Sequence, residues 1–158
     1  MNIFMLDSSP ELSAKYHCDK HVVKMCIEYA QIMSTVHREF GTNDDRLYRS
    51  THSKHPSVRW VAESTSNYRW LYSMWCSLAE EYTLRYGKHH ASFRKLSEVL
   101  RSPPKCMKDM GMTSLKIAIN DDTIPKKDPV EAYRIYYCTH KKRFATWKTP
   151  SSIPKWFC

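Results

Sequence analysis

Glycine is scarce, with three among 158 residues. A β-rich chain of this length draws on glycine at its many tight turns, so helices are expected instead. No apolar run approaches the roughly 18 residues that span a bilayer, and none of the opening MNIFMLDSSPEL reads as a charged leader or long apolar segment. Neither a membrane span nor a secretory signal is expected. No C-x-x-C pair occurs among Cys18, Cys26, Cys76, Cys106, Cys138 and Cys158, which argues against a zinc knuckle. The cysteines read as reduced, buried small hydrophobes on helical stretches of a cytoplasmic protein. P-loop, G-x-G-x-x-G, G-x-S-x-G and H-E-x-x-H patterns are all missing. A kinase or a cofactor-dependent oxidoreductase is therefore not expected, and neither a cofactor nor a metal is called for.

Acidic residues are outnumbered: 16 Asp and Glu face 25 Lys and Arg, for a net charge of +9. That balance favours an anionic partner, a nucleic acid or a small nucleotide. Hydrophobic residues make up 42% and aromatics 13%, enough for a core. One all-α domain over residues 1–158 is expected, with two long crossing helices, shorter helices and an irregular aromatic tail.

Asn2 to Leu6 reads as a short strand or an extended arm. Ser9, Pro10 and Glu11 then form a strong helix start, and the helix is expected to run to about Phe40, where Gly41 stops it. Cys18, Val22, Met25, Cys26, Tyr29, Met33 and Val36 share one side. His17, His21, Lys24, Glu28, Gln31 and Thr35 share the other, with Lys20 beside them. After a polar loop, a second helix is expected from Pro56 or Ser57 to Gly87, with Trp60, Leu71, Met74, Trp75, Leu78 and Tyr82 as its apolar stripe. A third covers about Ala91 to Leu100 and ends at Pro103 and Pro104. Residues 103–127 read as loop with a short helical turn. A fourth helix, capped by Asp128, runs to about Trp147, and Trp156 and Phe157 of the tail pack back onto the body.

Chemistry concentrates on HCDKHVVKM, residues 17–25. His17 and His21 stack on one side of a helix at this spacing. They suit a shared metal ion, acid-base work beside Lys20 and Lys24, or nothing beyond a solvated face. Lys54, His55 and Arg59 gather at a helix start that fits a phosphate, and Arg85, Lys88, His89 and His90 gather at a helix end, where cations complement the dipole. Trp70 lies off the apolar stripe and is the aromatic expected to face a ligand.

The phrases CDKHVVKM, HPSVRW, NYRWL, EYTLRYGKHH, DPVEAYRIYY and PKWF resemble small proteins of tailed-phage genomes over nearly the whole chain. In layout the sequence also resembles the phage pyrimidine-dimer DNA glycosylase and abasic-site lyase family of endonuclease V type. Leu6, Glu11 and Leu12 fit its start, Lys20 and Lys24 fall where it has arginines, and Tyr86-Gly87 fits the end of its second helix. The resemblance implies an all-helical fold and attack on the sugar by the amine of the residue after the initiator methionine, assisted by a carboxylate on the first helix. Here His21 stands at the carboxylate position. Asn2 follows Met1 and disfavours methionine removal, so a retained Met1 moves the amine by one residue.

The reading these residues favour is a metal-independent phosphodiesterase or nuclease acting on nucleic acid or a cyclic nucleotide signal of host defence, in the host cytoplasm if phage-encoded. His17 and His21 carry the proton, and Lys20, Lys24, His55, Arg59, Trp70, Arg85, Lys88 and His90 hold the substrate. A non-catalytic nucleotide sponge and a DNA-lesion glycosylase with abasic lyase activity are the alternatives. Association into a homodimer is compatible with each.

Overall fold

A computed structural model describes residues 1–157; Cys158 lies outside them. Six α-helices run in chain order: α1 (Pro10–Tyr16), α2 (Asp19–Glu39), α3 (Pro56–Glu63), α4 (Thr65–Tyr86), α5 (Ala91–Leu96) and α6 (Pro129–Tyr136). A π-helical turn (Tyr137–Lys141) continues α6, and a 3₁₀ turn (Pro150–Ser152) lies in the tail. There is no strand among the described residues. Helix α4 packs against α1, α2 and α3, and both expected apolar stripes meet in one core around Trp60, Trp75, Tyr29 and Tyr68. No helix among the described residues is long and apolar enough to cross a membrane.

The two long helices are each broken once. The first breaks at His17 and Cys18, which are extended (ψ 130 and 160°). Distant groups take the backbone partners that helix continuation would use. Arg85 donates to the carbonyls of Lys15 (2.9 Å) and His17 (2.8 Å). The Trp147 indole donates to Tyr16 O (3.2 Å), and Asp19 N–H donates to Thr146 O (2.8 Å). The second breaks at Ser64, whose hydroxyl caps α4 at Ser66 N–H (3.3 Å) and accepts from Met110 N–H (2.9 Å). At the other end of α4, Gly87 takes φ 68° and its N–H closes the helix on Thr83 O, a left-handed cap that a side chain would strain.

Other boundaries also move. Helices α5 and α6 stop short of Leu100 and Trp147, and residues 103–127 carry turns but no helix. Cys18 and Cys26 are buried, Cys76 and Cys138 half-buried, and Cys106 is exposed on the irregular segment, so burial of the cysteines is only partial. The tail does pack back: Trp156 meets Tyr16 edge to face at 5.9 Å, and Phe157 meets Trp147 at 4.7 Å.

The N-terminal arm positions the candidate site. Ile3, Phe4, Met5 and Leu6 are buried without a sheet to pair with, so side chains must satisfy the backbone. Phe4 N–H donates to the Tyr29 hydroxyl (3.1 Å), Leu6 N–H to Ser13 Oγ (3.0 Å), and Ser13 Oγ–H to Phe4 O (3.1 Å). Arg134 on α6 donates to Leu6 O (2.8 Å) and pairs with Asp7 (2.9 Å). The Phe4 ring stacks on His21 at 4.5 Å and meets Tyr133 and Tyr137 edge to face.

Candidate active site at the N-terminal amine

Lys24, Glu28, Gln31, Thr35 and Glu39 follow one another at helical spacing along α2. The arm delivers its terminus to this stripe. The Met1 amine lies 3.6 Å from Glu28 Oε2, and Lys24 Nζ lies 3.2 Å from Glu28 Oε1. The Met1 and Glu28 side chains are only 6% and 16% exposed, whereas Lys24 is 69% exposed. A half-sheltered amine, a carboxylate and a solvent-facing cation therefore share one point on the surface.

A second wall comes from the loop before α3. Thr51 N–H donates to Thr35 Oγ1 (3.1 Å), and Arg59 pairs with Glu39. These two staples fix the loop and α3 along the same face of α2. His52 between them adopts φ 51°, uncommon for a residue with a side chain, and accepts His55 N–H on its carbonyl at 2.8 Å. His55 caps α3, its Nδ1 accepting Ser57 N–H at 3.1 Å. Its pKa is held below the ordinary value by burial first, then by the Met1 amine and His52, with Glu28 opposing. Amine, carboxylate and imidazole are thus brought to one face of α2 by the arm, the helix and the loop.

The histidines singled out in the sequence lie elsewhere. His17 is fully buried and His21 6% exposed, so the polar face expected there is interior. His17 Nδ1–H donates to Ser13 O (2.7 Å), and its Nε2 accepts from Tyr29 O–H (2.7 Å). His21 Nδ1 pairs with the Tyr137 hydroxyl. The helix break turns His17 inward, and the arm and α6 cover His21. Both hold the arm in place: His17 through Tyr29, which carries Phe4, and His21 through its stack on the Phe4 ring.

Burial pushes His17 down to about 4 and His21 to about 2. Both values are depressed below the unfolded one, so their stabilising effect is whole above about pH 6.5 and declines as pH falls toward the folded values. The slope is about 1.4 kcal/mol per pH unit for each. Urea unfolding should therefore show several kcal/mol lost between pH 7 and pH 5. Equal midpoints at the two pH values would refute the neutral, buried assignment.

The remaining candidates divide. Lys20 is exposed, its ammonium 4.9 Å from the Phe144 ring centre. Lys88 is exposed at the far end of α4. Arg85, expected to hold phosphate, is buried with every N–H engaged by Glu81, Asp19, Lys15 O and His17 O. His90 is buried and caps α5 at Ser92 N–H. Trp70 does not face open space: its indole donates to Ser8 O (2.9 Å) and its ring meets Trp60. Of the ten, Lys24 meets the amine through Glu28, and His55 stands in the loop stapled to the same face of α2. Glu28 was missed as a reactive group. Its signal was its place on the polar stripe, as the sole carboxylate between Asp19 and Glu39. Among the described residues no cluster of His, Cys, Asp and Glu suits a metal ion.

A family model described as pyrimidine dimer DNA glycosylase matches residues 1–95, more than half the chain and the part that holds the arm, α2, His55 and α4. No curated protein and no solved structure matches the chain.

Proposed function

The chain belongs to the pyrimidine dimer DNA glycosylase family, and from that premise we propose that it excises damaged pyrimidines from duplex DNA with the Met1 amine as nucleophile. The observation that carries this reading is the Met1 amine 3.6 Å from Glu28 in a half-sheltered site. The reading takes Met1 as the terminal residue, and its amine beside a carboxylate supports it. That carboxylate is Glu28, two helical turns beyond His21.

The chemistry needs a neutral amine. Its nitrogen bonds to C1′ of the damaged nucleotide as the bond from C1′ to the pyrimidine breaks, and the base leaves with the electron pair. Glu28 takes a proton from the nitrogen and returns it to O4′ as the C1′–O4′ bond opens. What remains is a protonated imine joining the protein to the sugar. The +9 charge suits the DNA backbone, and exposed Lys20 and Lys24 extend cationic surface away from the amine. The phosphodiesterase reading gains no support from this geometry, since the two histidines it relies on are interior, and the sponge reading gains none, since Arg85 and Trp70 among its basic and aromatic groups are engaged within the fold.

Borohydride reduces such an imine to a permanent cross-link. With protein whose intact Met1 terminus is verified by mass, a cross-linked species is expected on duplexes bearing either a pyrimidine dimer or an abasic site. Its absence from both would sink the proposal.

A further inference from the structure

His55 is the group at this site whose role the family layout leaves open. Its Nδ1 is committed as an acceptor to Ser57 N–H at 3.1 Å, so in the neutral ring the proton sits on Nε2. Among the described residues, Nε2–H meets no protein acceptor. The ring is fixed from three sides. Pro56 and the cap hold it at the start of α3, the His52 carbonyl holds its backbone N–H, and Thr35 and Glu39 hold the flanking segments on α2. A rigid imidazole with one unspent donor therefore stands in the loop stapled to the same face of α2 that carries Glu28 and the amine.

The charge state narrows its use. Burial opposes a positive ring most, the Met1 amine on the arm and His52 on the loop oppose it further, and Glu28 on α2 only partly compensates. A phosphate-binding group would gain from being cationic, and this environment works against that. A neutral N–H donor is suited to an oxygen on which negative charge develops during reaction. In glycosidic cleavage that oxygen belongs to the departing base.

We infer that His55 is a catalytic hydrogen-bond donor, its Nε2–H directed to the carbonyl oxygen of the departing pyrimidine as the C1′–N bond breaks. The inference rests on the glycosylase reading above. It separates two reactions of one site. Expulsion of a base needs the donor, whereas imine formation at an existing abasic site has no base to expel.

His55→Asn tests this, because asparagine keeps an N-cap acceptor for α3 but lacks the imidazole donor. Single-turnover excision from a dimer-containing duplex should fall about 10²–10³-fold, the usual loss of one transition-state donor. Borohydride trapping on a preformed abasic duplex should fall far less than excision does, and the thermal midpoint should hold. Unchanged excision would overturn the inference. Equal loss on both substrates would also overturn it, by making His55 a positioning residue for the amine. Failure of the wild-type protein on both substrates would instead remove the glycosylase reading, and the inference with it.

Discussion

Glu28→Gln should leave the protein folded and slow single-turnover trapping on an abasic duplex by about 10²–10⁴-fold, the usual contribution of a positioned acid-base group. Glutamine preserves the volume and the hydrogen-bonding reach of the side chain but cannot take a proton from the amine. The loss should appear in the chemical step, with duplex binding little changed, because Glu28 carries the wrong sign to hold phosphate. Glu28 is on the rim of the core, and its partners are the Met1 amine at 3.6 Å and exposed Lys24 at 3.2 Å. Glutamine keeps a hydrogen-bond acceptor for both, so the fold is retained when the charge is removed. A trapping rate within threefold of wild type would exclude Glu28 from the mechanism.

Arg85→Ala is expected to destabilise the fold by about 3–5 kcal/mol, the range for removing one partner of a buried ion pair. The side chain is fully buried between Asp19 at 3.2 Å and Glu81 at 2.8 Å. It also supplies the carbonyl partners that let α1 stop at Tyr16. Without it, Glu81 and the Lys15 and His17 carbonyls lose their donor, and Asp19 keeps only Thr146 Oγ1 and Lys148 N–H. The midpoint of a melt followed by circular dichroism should fall by about 6–20 °C, at roughly 2–4 °C per kcal/mol for a chain of this size. Arg85→Lys should restore only part of this, since an ammonium offers three donors where the guanidinium offers five. A shift under 2 °C for the alanine variant would mean that the network contributes little.

The apolar stripes were legible because they are properties of single helices. Cys18, Val22, Met25, Cys26, Tyr29, Met33 and Val36 are all buried, as their spacing requires. Ser9, Asp128 and Gly87 act as the caps their types and positions indicate. His17 was misplaced because periodicity alone continues a helix through it. Arg85 is 68 residues away from His17 and Trp147 is 131 residues away from Tyr16, and only such distant partners reveal that the helix ends there. The same limit hid Glu28. Its helix face was read correctly, but its partner is the chain terminus, placed by an arm whose only local signal is four apolar residues.

What the sequence by itself determined is therefore the set of amphipathic stripes, several of the helix caps, the basic net charge and the family layout. Each follows from spacing, capping chemistry or net charge, which need no knowledge of neighbours. What only the tertiary structure decided is where the long helices break, which histidines are interior, and which carboxylate meets the amine. Those depend on hydrogen bonds and burial between segments far apart in the chain. A buried backbone group or imidazole takes its state from whichever partner the packing brings to it.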